Sequence, residues 1–205
     1  MSEETKVTGF GELGLSDSIL RTLDELGYEE PTPIQAQAIP ELLAGHDVIG
    51  QAQTGSGKTA AFGLPMLEYL DAGNDETQAF VLTPTRELCI QVTQAMRAYA
   101  EHLDGVEIVA VFGGAPIREQ QARLRHPAQV VVATVGRMMD LISRQSLVLT
   151  AARYVVLDEA DEMLDLGFIE DVEKILRMCP SGRQTGLFSA TMPAPIARLA
   201  EAHMY

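Results

Sequence analysis

The stretch "DVIGQAQTGSGKT", residues 47–59, decides the fold. Its first half, "DVIGQA" (47–52), is short, apolar and β-branched, the pattern of a strand covered on both faces. Its second half, "AQTGSGKT" (52–59), sets Gly55 and Gly57 where backbone N–H groups can close round an anion. A helix follows, and its N-terminal dipole favours negative charge. Thr54, Gly55, Ser56, Gly57, Lys58 and Thr59 are therefore the phosphate-binding candidates. Lys58 can reach β- and γ-phosphates, and the Thr59 hydroxyl can ligate magnesium. The strict pattern begins with glycine, and Ala52 fills that place here. The competing reading is a glycine-rich turn that merely joins strand to helix.

Five further runs share the strand pattern: "AFVLT" (79–83), "EIVAVF" (107–112), "QVVVAT" (129–134), "YVVLD" (154–158) and "TGLFSAT" (185–191). Between them, residues 84–103 carry Leu88, Val92, Ala95, Met96 and Tyr99 at helical spacing, and residues 136–144 and 168–179 do likewise. Two helices precede the first strand, over about 16–26 and 33–44, with Ser16 or Asp17 as N-cap and Gly27 and Gly45 as stops. Strand–helix alternation repeated this often predicts an α/β domain, a mostly parallel sheet with helices on both faces. The 205 residues show no internal repeat and read as one domain. Only "DAGNDET" (71–77) reads as a mobile surface loop.

Composition narrows the class. A chain 46% hydrophobic and 21% charged is an ordinary globular one. No apolar run approaches the roughly 18 residues of a membrane span. The N-terminal "MSEETKVTGF" lacks a signal-peptide pattern, and no membrane partner is expected. Cys89 and Cys179 stand alone and read as reduced, buried thiols, which suits the cytoplasm. The four histidines are scattered, with no His/Cys metal pattern. The net charge of −14 opposes a polyanion partner, yet residues 84–144 hold seven Arg against six acids. That segment is the one that could face nucleic acid comfortably.

The stretch "YVVLDEADEML" (154–164) crowds Asp158, Glu159, Asp161 and Glu162 at the end of a buried-looking strand. Such acids repel one another and cost free energy to desolvate. In a parallel sheet all strand ends share one edge, so these acids lie on the edge of the phosphate loop. Asp158 can then hold a magnesium ion through its water, and Glu159 can orient or deprotonate an attacking water. The plainer alternative, an acidic helix N-terminus, suits Glu162 and Asp165.

These motifs, taken in order from about Phe10 to Tyr205, resemble the N-terminal RecA-like domain of a DEAD-box ATP-dependent RNA helicase. "GYEEPTPIQ" (27–35) is similar to the Q motif, with Phe10 seventeen residues before Gly27. "AQTGSGKT" is similar to motif I, "PTRELC" (84–89) to Ia, Gly113-Gly114 to the double glycine and "TVGR" (134–137) to Ib. "DEAD" (158–161) and "SAT" (189–191) match motifs II and III. The resemblance implies ATP and Mg²⁺ as cofactors and single-stranded or duplex RNA as partner, bound without sequence preference. It implies that Gln35 selects adenine, with Tyr28 and Phe10 supplying ring faces near the base. Catalytic roles are implied for Lys58, Glu159, Asp161, Ser189 and Thr191, with the Ser189 and Thr191 hydroxyls bonding the Asp161 side chain. Metal binding is implied for Thr59 and Asp158, and RNA-phosphate contact for Pro84, Thr85, Arg86, Gly113, Gly114, Thr134, Gly136 and Arg137. Motif Ib usually has proline where Val135 stands, and motif Ia a small apolar residue where Cys89 stands.

The resemblance further implies a single ATP-binding domain over 1–205, with about 1–45 as a helical Q-motif lead-in. A second RecA-like domain, carrying the remaining motifs, is expected outside this chain. The 205 residues alone are expected to bind adenine nucleotide with little turnover. Competing readings are a nucleotide-switched module that never turns over and a DNA-directed helicase.

Overall fold

Every neighbouring strand pair in the sheet is parallel, as runs apolar on both faces demand. The computed structural model describes residues 9–205. The stretch 1–8, part of the expectation about signal peptides, lies outside the described residues. The strands are β1 (Val48–Gln51), β2 (Ala79–Thr83), β3 (Ile108–Val111), β4 (Val130–Thr134), β5 (Tyr154–Asp158) and β6 (Gln184–Ser189). Their order across the sheet is β1-β6-β5-β2-β4-β3.

The helices are α1 (Asp17–Glu25), α2 (Pro33–Leu43), α3 (Lys58–Tyr69), α4 (Arg86–Tyr99) and α5 (Ile117–Leu124). They continue as α6 (Val135–Ser143), α7 (Ala160–Asp165), α8 (Ile169–Met178) and α9 (Ala194–His203), and a 3-10 turn, Phe10–Glu12, precedes them all. The Ser16 hydroxyl accepts from Ile19 N at 3.4 Å and opens α1. Helix α5 has no apolar stripe to announce it, because "IREQQARL" is polar apart from Ile117, Ala122 and Leu124.

The sheet separates two apolar layers, and the strands feed both with a period of two. Ala79 and Val81 join the layer under α1–α4, whereas Phe80 and Leu82 join the layer under α6–α9. Tyr154 and Val156 repeat the split against Val155 and Leu157. Each of these residues is at most 1% exposed, so burial of both faces fixes the strand register.

The 71–77 connection has no regular secondary structure, but the buried Gln78 side chain holds it. Gln78 Oε1 accepts from Asp71 N at 2.8 Å, and Nε2 donates to the carbonyls of Asp71 (2.7 Å) and Asn74 (2.9 Å). Cys89 and Cys179 are free and buried, and burial pushes their thiols up to about 11 and about 12. His102, scattered in sequence, meets Glu25 at 2.6 Å with Glu101 nearby, a surface grouping that spacing along the chain conceals. Among the described residues no helix is long and apolar enough to cross a membrane.

Strand order divides the carboxyl edge of the sheet in two. The ends of β1, β6 and β5 carry residues 52–59, 189–191 and 158–161. The ends of β2, β4 and β3 carry residues 84–86, 134–137 and 113–114. The phosphate and RNA candidates thus occupy adjacent halves of one edge.

Candidate active site

Strand β1 hands the chain to the glycine loop while still paired to β6, because Ala52 N donates to Ser189 O at 3.0 Å. Gly57 has φ of +83° and is the N-cap of α3, so Lys58 is its first residue. The Lys58 Nζ lies 2.9 Å from Asp158 Oδ1 and donates to Glu159 Oε1 at 3.1 Å. The Thr54 hydroxyl reaches the same Glu159 oxygen at 3.4 Å. Glu159 has φ of 55° and ψ of 54°, a left-handed conformation costing on the order of 1 kcal/mol for a non-glycine residue. A 190 Å³ cleft between these groups is lined by Thr54, Lys58, Glu159, Asp161, Glu162 and Asp165, among others.

Burial dominates Asp158. Its side chain is fully inaccessible, and neither oxygen completes a well-formed hydrogen bond among the described residues. Burial pushes its carboxyl up to about 6, and the Lys58 charge only partly offsets that. For Lys58 the balance is reversed. Burial alone would depress the ammonium, but two carboxylates hold it above the ordinary lysine range. One cation therefore serves two acids, and the buried one is left short of positive charge.

That shortage tests the fit of a metal. Asp158 and Thr59 offer hard oxygen donors, the kind magnesium takes, and the Ser56 hydroxyl is also buried with no partner among the described residues. The residues present fit the ion.

Glu159 is raised by burial and lowered more strongly by its hydrogen bonds with Glu162, Lys58 and Thr54, ending below the ordinary glutamate range. Its neighbour Glu162 is pushed up to about 7, first by the hydrogen bond to Glu159 and then by burial and the neighbouring negative charges. Near neutrality a proton can therefore reside on Glu162 while Glu159 stays ionised.

Asp161 ties β5 to the end of β6. Its Oδ2 accepts from Thr191 Oγ1 (3.0 Å) and Thr191 N (3.2 Å), and its Oδ1 accepts from Glu162 N (3.1 Å). Burial raises the Asp161 carboxyl, but hydrogen bonds from Thr191 and Ser189 hold it below the ordinary aspartate range, and Ser189 does more than the sequence suggests. It meets the Asp161 backbone, accepting from Asp161 N at 3.1 Å, while its own hydroxyl donates to Thr191 O at 2.6 Å. Ser189 is fully buried at the strand end, so its short side chain is captured by the next backbone turn.

Of the adenine candidates, Gln35 touches the loop itself. Gln35 lies in the first turn of α2, with Oε1 accepting from Thr32 N at 2.9 Å, and its Nε2 donates to Gly57 O at 3.0 Å. One amide N–H and one oxygen lone pair remain for a ligand. Tyr28 is half-buried, and its hydroxyl pairs with that of Tyr99 at 2.9 Å. Phe10 packs edge-on against Tyr28 and is 5% exposed, so its ring belongs to the core and offers no open face here.

The RNA candidates line the other half of the edge. Pro84 is buried, and the Thr85 hydroxyl caps α4 by accepting from Leu88 N at 3.2 Å. Arg86 is exposed, its guanidinium 4.9 Å from the Phe112 ring centroid. Gly113 N donates to Thr134 Oγ1 at 3.4 Å, and Gly136 is exposed. Arg137 donates through Nη1 to Ala115 O (3.0 Å) and Gln120 Oε1 (2.9 Å). Val135 is fully buried as the first residue of α6, the position where proline is also tolerated, so its substitution leaves the helix start in place. Phe112 and Gln120 belong to none of the motifs. Phe112 follows β3 and could have been noticed as an aromatic beside the double glycine, whereas nothing in the sequence marks Gln120.

Parallel sheet, glycine loop and strand-end acids define the class: an α/β domain of the P-loop, RecA-like type. A sequence model described as DEAD/DEAH box helicase matches residues 32–199, and the chain belongs to that family. The chain is 53% identical over 197 residues to "ATP-dependent RNA helicase DeaD" of Escherichia coli (strain K12), covering 96% of this chain and 31% of the relative. It is 52% identical over 198 residues to "DEAD-box ATP-dependent RNA helicase CshA" of Bacillus cereus, covering 97% and 38%. Among solved structures, a DEAD box protein from Methanococcus jannaschii matches with a TM-score of 0.92 at 44% identity, over 97% of this chain and 54% of that one. Prp28 from Chaetomium thermophilum, bound to ADP, matches with a TM-score of 0.89 at 43% identity, over 97% and 49%. The chain thus spans about a third of the curated relatives' length.

Proposed function

We propose that this chain is the ATP-binding RecA-like half of an RNA helicase, a single unit in which about 1–45 form the Q-motif lead-in. The intact protein would hydrolyse ATP to unwind or remodel RNA without reading its sequence. One observation carries the proposal: the glycine-loop Lys58 lies within 2.9 Å of Asp158 and 3.1 Å of Glu159. A phosphate chain entering the loop takes the place of those carboxylates as the partner of Lys58. Thr59 and Asp158 would hold magnesium, which supplies charge neutralisation at the phosphates when bound. The backbone N–H groups of Thr54–Thr59 cradle the phosphates, and Gln35 offers its remaining donor and acceptor to the adenine edge.

Glu159 is the base. It remains ionised near neutrality and lies in the cleft beside Lys58, where it can accept a proton from an attacking water. Thr191 and Ser189 hold Asp161 against β6, linking the acids to the end of the neighbouring strand. RNA phosphates would meet Arg86, Thr134, Arg137 and the backbone of Gly113 and Gly114. The partner that completes the cleft would be a second RecA-like domain. Buried free thiols suit a reducing compartment, and we place the protein in the cytoplasm.

The test is a crystal soak with ADP and Mg²⁺. The expected result puts Lys58 Nζ on the β-phosphate and the base beside Gln35. A nucleotide seated away from residues 54–59 would overturn the reading.

A further inference from the structure

We infer that Gln120 is a positioning residue for RNA binding, welding the double-glycine loop to the Thr134–Arg137 segment through Arg137. The inference rests on the RNA reading above and assigns a role to a residue outside its motifs. Gln120 lies in α5 and is 7% exposed. Its Nε2 donates to Phe112 O at 3.0 Å, the carbonyl just before Gly113. Its Oε1 accepts from Arg137 Nη1 at 2.9 Å, and that same nitrogen donates to Ala115 O at 3.0 Å, the carbonyl just after Gly114. Gln120 and Arg137 thus hold both carbonyls that flank the glycine pair.

The glycines need this restraint. Gly114 has φ of +86°, a conformation that glycine reaches freely and leaves as freely. With both flanking carbonyls tied, the loop's N–H groups are fixed relative to α6. The same network sets Arg137. One guanidinium nitrogen is committed to protein, which aims the rest of the planar fork and leaves its other donors for a phosphate. Phe112 brings in the third segment, since its ring carries the Arg86 guanidinium while its carbonyl is held by Gln120. Three strand ends, β2, β3 and β4, are thereby kept in one register. RNA phosphates recur at fixed spacing, so contacts held in register bind together at less entropic cost.

The test measures fluorescence anisotropy of a labelled single-stranded oligouridine with the 205-residue chain, over a range of salt. Gln120→Met keeps the side-chain volume and removes both hydrogen bonds; Gln120→Leu substitutes for it should the Met variant not fold. The expected result is an affinity loss of about five- to tenfold. The slope of log K against log[salt] becomes shallower by roughly 0.7, the value of one single-strand phosphate contact. Affinity for fluorescent ADP does not change. In an Arg137→Ala background Gln120→Met costs less than it does in wild type, because the part of its effect that runs through Arg137 is already gone. If Arg137→Ala weakens RNA binding while Gln120→Met leaves it intact, or if the two losses add fully, the positioning role is overturned. If neither Arg86→Ala nor Arg137→Ala alters RNA binding, the RNA reading itself fails and takes the inference with it.

Discussion

Gln35 donates its amide N–H to the Gly57 carbonyl at 3.0 Å, joining the first turn of α2 to the turn that starts α3. The amide stands where a Gly57 side chain would have to go, so only glycine allows the approach. The residue proposed to read adenine is therefore also a strut of the phosphate loop.

Gln35→Ala should lose both roles. The substitution removes the bond to Gly57 O and the reciprocal bond from Thr32 N, two interactions worth roughly 1–2 kcal/mol together. For a chain of this size that lowers Tm by about 2–8 °C. The ratio of ADP to GDP affinity should fall towards one. Calorimetric titration of both nucleotides decides it: wild type binding GDP as well as ADP would remove the adenine contact.

Lys58→Ala should cost more than the loss of a phosphate ligand. It strands Asp158, a fully buried acid whose only near cation among the described residues is Lys58. Breaking such a pair costs about 3–5 kcal/mol when the remaining charge stays ionised. Asp158 already titrates high, at about 6, and without Lys58 it rises further. A raised carboxyl favours the folded state at low pH and loses that contribution as pH climbs through its folded value. The variant should therefore be nearer wild type at pH ~5 than at pH ~8 in urea unfolding. Asp158→Asn should be milder, since it removes the charge as well as its partner's role. Equal destabilisation of Lys58→Ala at both pH values would refute the account.

Much of this site was legible before the structure. Six strands show in the sequence because burial on both faces leaves unbroken apolar runs, and "AQTGSGKT" marks its own loop by chemistry. Asp158 and Glu159 could be placed because parallel strands share a carboxyl edge. What stayed hidden depends on folding between distant segments. The Gln35–Gly57 bond spans 22 residues and exists only because α2 packs on α3. The further bond from Asp161 N to the Ser189 hydroxyl is set by one turn of chain and has no mark in the sequence. The resemblance makes Phe10 a ring face near the base, yet the 3-10 turn folds it into the core. Gln120 is a polar residue in a polar helix, and only the β3–β4 register brings Arg137 to it.

Magnesium should strengthen ADP binding in a pH-dependent way. A proton on Asp158 competes with the ion, and its carboxyl titrates at about 6. Above that pH the gain in affinity on adding Mg²⁺ should be flat. Below it the gain should shrink, by up to about tenfold per pH unit for a single competing proton. Titrations with Mg²⁺ and with EDTA across this range measure the difference directly. A gain that is constant down to pH ~5 would remove Asp158 from the metal site.

Glu159→Gln should bind ADP like wild type and lose hydrolysis. The amide oxygen can still accept from Lys58 and Thr54, which now reach Glu159 Oε1 at 3.1 and 3.4 Å, so the cleft keeps its shape. What disappears is the capacity to take a proton, worth about 10²–10⁴-fold in rate for a positioned base. A neutral amide oxygen is a weaker acceptor and brings no negative charge, so the Glu162 carboxyl should fall from about 7 towards the ordinary glutamate range. Carboxyl-observed NMR follows that titration, and single-turnover ATP hydrolysis on the 205-residue chain follows the rate. The titration reports on the geometry and the rate on the chemistry. A shifted Glu162 with unchanged hydrolysis would keep the carboxylate pair and dismiss Glu159 as the base.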